Sequence, residues 1–570
     1  PCGTLFPYTT LFRSGFGSDV VRAPYNRLET LEYTERSTQT LQFHGKHTLT
    51  FIPEWTLAEF FTLKAPEFDW RVSQNSAELD EPDKRTFETF WLPNNPQFNI
   101  PAHHSLLLGS GSSGNFERAW RNISEESDQY AINVKFPFQH WTEQEGYIKA
   151  GFFSDNVIRK FRQESFGNDG IGNVRYEAPF DELLSEVYSS LPISDSRPVS
   201  DQVKNDVDYD GFQNITAWYV MADIPVTSFL KFIGGVRFET MEMSVTNMPE
   251  ESAIVFGSNF SEGTFFFDGT GQRIIDSGTG LPIGDSEFEQ SDVLPAASIV
   301  VTPFEELTLR AAYTETVARQ TFRELAPVVQ TEFAGGDVFV GNPELEMAAV
   351  TNYDLRADYR PTEGSLFSVS WFLKKLENPI EYVQDTDRVI GRFTTPTNFP
   401  KGELSGWEFE ARQDFGAFWD ALAGFSIGAN ATFIDSEVTV PANVTSEGDT
   451  RRMLNAPEHL FNVNLRYSLE ETGTDIGLFY TVRGDTLIAG PGSGSNGFIP
   501  PVFEAGHETL NLTLSQKLGE HFKLKFSAKN LTNPEIQEVY RSETRGLEGV
   551  KSSYTKGIDF SLSISANFTF

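Results

Sequence analysis

Residues 556–570 read KGIDFSLSISANFTF. From Ile558 onward every even position is apolar or Ala: Ile558, Phe560, Leu562, Ile564, Ala566, Phe568 and Phe570. Every odd position is polar: Asp559, Ser561, Ser563, Ser565, Asn567 and Thr569. Side chains alternate across a strand, so period two puts all the apolar groups on one face. The same alternation recurs upstream. Leu510, Leu512 and Leu514 alternate with Asn511, Thr513 and Ser515. Phe522, Leu524, Phe526 and Ala528 alternate with Lys523, Lys525, Ser527 and Lys529. Phe461, Val463, Leu465 and Tyr467 share a face, as do Phe425, Ile427, Ala429, Ala431 and Phe433. Tyr353, Leu355, Ala357 and Tyr359 stand opposite Asp354, Arg356, Asp358 and Arg360.

These segments run to ~9–14 residues, the length of a tilted membrane crossing, where globular strands average ~5–6. About 17 of them are expected, joined alternately by short and long connections. The short connections lie near 223–228, 303–306, 361–364, 415–421, 469–474 and 517–521. The long ones lie near 77–114, 164–210, 247–289, 319–348, 436–456 and 531–556. A soluble sandwich gives no reason for such alternation. The pattern predicts an all-β fold: a large transmembrane antiparallel β-barrel with short turns at one end and long loops at the other. Trp120, Trp141, Trp218, Tyr219, Trp371 and Trp407 are expected in aromatic girdles at the membrane interfaces.

The totals agree. The chain has 570 residues, 51 of them Phe, without a compositional break that would divide it. Its mean hydropathy of −0.32 hides a barrel wall, because alternate residues are polar. The longest apolar run, LPAASIVV (294–301), is far short of the ~20 residues a membrane helix needs. A net charge of −35 excludes nucleic acid as a partner, since phosphate binding relies on Lys and Arg. The lone Cys2 permits no disulfide within the chain. Residues 1–14, PCGTLFPYTTLFRS, lack a signal-peptide layout. They read like translated adapter sequence and are expected to pack against nothing, with the barrel occupying 15–570.

Chemical motifs are weak. GSGSSG (109–114) and GSGSNG (492–497) fit the dinucleotide pattern but lack a strand before and a helix after. DVDYDG (206–211) begins like a calcium loop, yet its twelfth position is Ala217 instead of Glu, leaving at most a looser calcium contact. His103 and His104 point apart in an extended chain. No catalytic triad or zinc spacing stands out, and no cofactor or enzymatic activity is expected.

Four stretches carry a family likeness. TETVARQTFRELAPVV (314–329) resembles the S-x-T-V-x-R-P-x-F-R-E-L-A-P stretch of TonB-dependent receptors. Arg319, Phe322, Arg323, Glu324, Leu325 and Pro327 match it, with Gln320 in place of the usual Pro. GNPELEMAAVTNYDL (341–355) resembles that family's G-N-P-x-L segment through Asn342, Pro343, Asn352 and Tyr353, with Ala348 where Pro is usual. GWEFEAR (406–412) resembles a G-x-E-L-E strand, and AKNLTNPEIQ (528–537) the x-N-L-x-N segment, with Asn530 matching. The resemblance implies a 22-stranded barrel in the outer membrane of a Gram-negative bacterium, among its lipid and lipopolysaccharide. It implies that Ile564, Phe568 and Phe570 form the C-terminal signal read by the barrel-assembly machinery. It further implies active uptake of a scarce ligand (siderophore, haem, cobalamin, oligosaccharide or peptide) driven by the TonB complex. A passive porin-type channel is the alternative. The plug and TonB box of that family match nothing here, so the chain is expected to be a barrel incomplete at its N-terminus. Its last strand is then expected to pair with a first strand lying upstream.

Overall fold

The computed structural model describes residues 8–15, 25–58, 61–106, 116–142, 144–168, 175–176, 199–200, 207–251, 253–255, 264–331, 338–387, 391–469, 471–494 and 497–567. One antiparallel meander dominates. It runs through Tyr8–Gly15, Tyr25–Glu32 with its continuation Glu35–Thr48, Glu67–Leu92, Phe116–Gln139, Glu145–Asn168, Val207–Pro225 and Leu230–Pro249. Ser286–Phe304, Leu307–Ala318, Ala348–Tyr359, Leu366–Glu377, Lys401–Asp414 and Phe425–Thr439 follow. His459–Leu469, Thr474–Arg483, His507–Leu518, Phe522–Lys529 and Asp559–Ala566 complete it. Taking Tyr25–Glu32 and Glu35–Thr48 as one interrupted strand, the ladder holds the expected seventeen strands, and Tyr8–Gly15 adds another.

That addition corrects one expectation. Residues 8–14 do not stand apart: Phe12 lies opposite Leu28 and Tyr8 opposite Glu32 in a continuous antiparallel register. The local TTLFR sequence satisfies its backbone by pairing whatever its origin. A second correction concerns 77–114. The Glu67–Leu92 strand runs on through this charged stretch, with a bulge between Glu81 and Lys84. Its charges are matched across the ladder: Arg121 to Glu81 at 3.1 Å, Arg118 to Asp83 at 2.6 Å and Lys84 to Glu32 at 2.9 Å.

The connections alternate without exception from residue 92 to residue 559. The short ones are 140–144, 226–229, 305–306, 360–365, 415–424, 470–473 and 519–521. The long ones are 93–115, 169–206, 250–285, 319–347, 378–400, 440–458, 484–506 and 530–558. Two of these, 378–400 and 484–506, are not revealed by residue alternation. They are built of short hairpins, Ile380–Asp387 with Gly391–Asn398 and Gly492–Gly494 with Gly497–Ile499, which join a separate small sheet.

Register fixes which face is which. Phe152, Trp218 and Phe238 lie side by side on three strands, and the Trp218 and Phe238 rings stack at 4.0 Å. Tyr313 stands opposite Tyr353, and Trp371, Trp407 and Phe433 form another row. These aromatics all sit on the outward face, several residues from the short turns. Between them and the turns that face is apolar, as at Val220, Phe232, Leu355, Phe367 and Leu465. From Trp218 to Ile224 the belt covers roughly 20 Å of strand at ~3.3 Å per residue, close to the ~25 Å of an outer-membrane barrel. Beyond the aromatic rim the outward positions turn polar: Glu242, Ser291, Glu403, Asp435 and Glu437. Trp218, Trp371 and Trp407 thus form the girdle as expected, and Trp141 is exposed at a short turn. Two girdle assignments are corrected. Tyr219 faces the lumen, its hydroxyl donating to Asn133 at 2.7 Å. Trp120 lies beyond the rim toward the long loops, under the Arg118 guanidinium.

The lumen face is polar and cross-tied. Asn133 donates to Asp69 at 2.6 Å, and Arg356 bridges Asp358 and Glu410 at 2.8 and 3.1 Å. Among the described residues, Glu35–Thr48 and Asp559–Ala566 each carry one unpaired edge. In hydrocarbon every unsatisfied backbone group costs several kcal/mol, so both edges require strand partners there.

In the last strand Phe560, Leu562 and Ile564 are each more than 60% exposed and stand opposite Ala528, Phe526 and Leu524. The Ser561 hydroxyl meets that of Ser527 on the lumen face at 2.6 Å. Phe568 and Phe570 lie outside the described residues. Substituting Ile564→Arg is expected to cost ~2–4 kcal/mol in a lipid-vesicle unfolding titration, and Ser563→Arg little. Equal costs at the two sites would reverse the assignment of faces.

Candidate functional site

At the long-loop end the strands stop being bare wall. Phe161, Tyr209, Met241, Met243 and Val245 turn toward the lumen and are almost fully buried. What buries them is the connections: Ala253, Val255 and Phe266 from 250–285, and Phe322, Leu325, Ala326, Val328, Leu345 and Met347 from 319–347. The barrel mouth therefore has a hydrophobic core of its own, made where two long loops fold against strand tops.

The stretch 319–343 builds the centre of that core. Leaving its strand, Arg319 pairs with Glu239 on the lumen wall, and Arg237 holds the same carboxylate at 2.6 Å. Gln320 donates to the Leu345 carbonyl at 2.7 Å. Thr321 then caps a single helical turn, Phe322–Leu325, in a reciprocal capping box with Glu324. Phe322 settles onto Gly211, where a Cβ would lie 2.5 Å from its ring. The Arg323 guanidinium lies over Phe339 at 4.2 Å, and Pro327 packs beside Gly284. The Asn342 amide N–H closes the turn on the Glu324 carbonyl at 2.6 Å, and its side chain donates to the Pro396 carbonyl at 3.1 Å. Gly341 is obligatory, because a Cβ would lie 2.1 Å from the Ala326 carbonyl oxygen. Pro343 follows, half-buried.

The structure thus gathers Arg319, Phe322, Arg323, Glu324, Leu325, Pro327, Asn342 and Pro343 into one packed unit. The other residues singled out in the sequence lie elsewhere. Asn352 faces the lumen, donating to Thr316 at 3.3 Å and accepting from Lys374 at 2.9 Å. Tyr353 is on the outward rim against Tyr313. Asn530 adopts a left-handed φ of 58° beyond its strand and donates to the Gly557 carbonyl at 2.7 Å, shaping a turn. Ile564 faces lipid. Asp208 and Asp210, weighed for calcium, lie within a strand. Asp208 accepts the Gln163 N–H at 2.8 Å, and Asp210 pairs with Arg162 at 2.6 Å. GSGSSG (109–114) lies outside the described residues.

Residues that no motif marks tie the other loops to this unit. Tyr382 donates to Glu324 at 2.9 Å. Glu381 pairs with Arg451 at 2.7 Å, both nearly buried, with the guanidinium over Phe399. Gln384 donates to the Gly490 and Pro500 carbonyls at 2.8 and 3.1 Å. Asp485 and Arg541 join 484–506 to 530–558. Five long connections, 319–347, 378–400, 440–458, 484–506 and 530–558, therefore form one cross-braced surface around the mouth. Sequence parity could have placed Arg237 and Glu239 on one face; the loop-to-loop partners carry no such signal.

Two outcomes follow from this geometry. Gly341→Ala is expected to displace 319–347, seen as faster proteolysis within that connection while the folded barrel keeps its heat-modifiable migration. Unchanged cleavage would show that the mouth does not depend on this contact. The second concerns Asp485. Burial alone would raise its carboxyl, but the Arg541 guanidinium and the Gly506 N–H outweigh burial and hold it below the usual carboxylate range. Stabilisation is then present at neutral pH and is lost as pH falls through the folded-state value. Asp485→Asn should lower stability at pH 7 by about 1 kcal/mol for this part-exposed pair. Thermal melts of variant and parent should converge on acidification.

Residues 3–531 match the family described as TonB dependent receptor-like, β-barrel. No curated protein matches the chain. Among solved structures, the ferric citrate transporter FecA in its unliganded form is similar, with a TM-score of 0.50 at 13% identity. That likeness covers 98% of this chain and 75% of FecA. The ferric-catecholate import receptor Fiu from K12 E. coli, in a closed form, gives a TM-score of 0.51 at 11% identity, covering 98% and 77% of the two chains. At such identities the likeness is one of fold alone. An alternating wall with a girdled belt, short turns opposite long loops and a family match over nearly the whole chain lead to one conclusion: this chain belongs to the TonB-dependent receptor β-barrels.

Proposed function

We propose that the chain is the barrel of an outer-membrane receptor. It takes up a scarce extracellular ligand, of the siderophore, haem, cobalamin, oligosaccharide or peptide class, with energy supplied through the TonB complex. It works by transport, not catalysis. It lies in the outer membrane of a Gram-negative bacterium among lipid and lipopolysaccharide, inserted there by the barrel-assembly machinery.

The observation that carries this reading is the built mouth. A passive pore needs an open entrance. Here 250–285 and 319–347 fold inward on a buried core, and the Glu381–Arg451 pair and Gln384 brace the neighbouring loops. Such a surface suits selective capture. A chain of net charge −35 repels polyanionic ligands.

The test is uptake. The gene carrying this chain is expressed in the outer membrane of a Gram-negative host with and without functional TonB. Accumulation of radioiron siderophores, haem, cobalamin and labelled oligosaccharides is then followed. One ligand class should accumulate only in the TonB-competent host. Equal, non-saturating entry in both hosts would overturn the reading and leave a passive channel.

A further inference from the structure

The short-turn end holds a buried imidazole for which transport has no use. His140 opens the turn 140–144 and is only 6% exposed. Aromatic rings cover it. Strand parity turns Phe138 outward, yet its ring is buried: it lies over Gly146, where a Cβ would come within 2.7 Å, and stacks on Phe61 at 5.5 Å. Phe61 belongs to a hairpin, Trp55–Ala58 with Phe61–Leu63, inside the connection 49–66. The second strand of that hairpin pairs with Phe138 and Gln139. The imidazole lies 5.6 Å from the Phe138 ring, and Trp141, itself exposed, closes over it at 4.1 Å.

Side chains clasp this turn to its neighbour. Trp141 Nε1 donates to the Val226 carbonyl at 2.8 Å, the Thr142 hydroxyl to the Pro225 carbonyl at 3.4 Å, and the Gln144 amide to the Ser228 carbonyl at 3.0 Å. His140 shapes the turn from within, because its Nδ1 accepts the Thr142 N–H at 3.3 Å. The proton of the neutral ring then sits on Nε2, which is buried and meets no acceptor among the described residues.

A neutral ring tolerates that place. A cation does not. A second proton would occupy the Nδ1 lone pair, set N–H against the Thr142 N–H and leave a buried charge without a counter-ion. The charged groups around the turn are committed elsewhere. Lys64 of the connection 49–66 holds Glu145 at 2.7 Å, and Lys231 holds Asp223 at 3.0 Å. Glu54 is exposed, and Glu143 lies outside the described residues. Burial is what pushes the imidazole below its ordinary value.

We propose that His140 is an acid-operated latch. Neutral, it locks the turn 140–144 onto 225–228 and under the hairpin 55–63; protonated, it leaves its pocket and frees all three. The latch lies at the end of the barrel opposite the long loops, which the outer-membrane reading above assigns to the periplasm. The ring released by opening titrates near its ordinary value of ~6.5, whereas the closed ring stays neutral. Latching is therefore complete above ~6.5 and is lost as pH falls below it, so opening should rise about tenfold between pH 7.5 and 5.5.

The test is deuterium uptake by the full-length protein in phosphatidylcholine vesicles, read by mass spectrometry at pH 7.5 and 5.5. Peptides covering 140–144 and 225–229 are compared with the same peptides of His140→Gln, which keeps an acceptor for Thr142 and does not titrate, so the intrinsic pH dependence of exchange cancels. The ratio of parent to variant should rise about tenfold on acidification at both turns and stay constant in the connection 319–347. A ratio that does not change with pH overturns the latch. Glu143→Gln should show the same rise as the parent; its loss there would overturn the assignment to His140. If His140→Gln does not fold, the parent decides alone. Its two turns should open about tenfold relative to 319–347, and exchange of the His140 C2 hydrogen should have its midpoint below ~6.5. A midpoint at or above ~6.5, or no relative opening, overturns the proposal. The vesicles contain no TonB, so failed TonB-dependent uptake would leave this result standing.

Discussion

Hydrocarbon offers no hydrogen-bond partner to a peptide group, and the rest of this protein is organised by that constraint. Every strand in the belt must satisfy its backbone through its neighbours, which makes the antiparallel ladder obligatory. The ladder in turn imposes period two, so each outward residue must suit lipid and each inward one the lumen. The row Phe152, Trp218 and Phe238 and the row Trp371, Trp407 and Phe433 follow from register, because residues at equal height are brought side by side.

The belt ends where the constraint ends. Beyond the rim water is available, so strands such as Phe116–Gln139 and Glu145–Asn168 run on with charged residues on both faces. Connections there are free to lengthen, and they use that freedom to build a second kind of structure. Around 319–347 it is an ordinary hydrophobic core, with Phe322 seated on Gly211 and Leu325 fully buried. Around 378–400 it is a buried ion pair. Removing one member of such a pair leaves an uncompensated charge, which commonly costs 3–5 kcal/mol. The wall is therefore held by backbone hydrogen bonds, and the mouth by side chains.

That division explains why function concentrates at the mouth. A wall made under a strict periodic rule has little freedom to vary its chemistry. Loops on a rigid scaffold have a great deal.

The sequence by itself determined the wall: its alternation, the order of its strands, most of its long and short connections, and the outward face of Ile564. It marked the stretch 319–343 by family resemblance. It did not disclose that Tyr8–Gly15 joins the ladder, that Glu67–Leu92 continues through its charges, or that Tyr219 turns inward. Nor did it disclose the pairing of Glu381 with Arg451 or of Asp485 with Arg541. The reason is physical. A strand's faces are set by neighbours two residues away, so a short window of sequence contains the whole rule. A loop contact joins groups many tens of residues apart, and its partner exists only once the barrel has closed the distance between them.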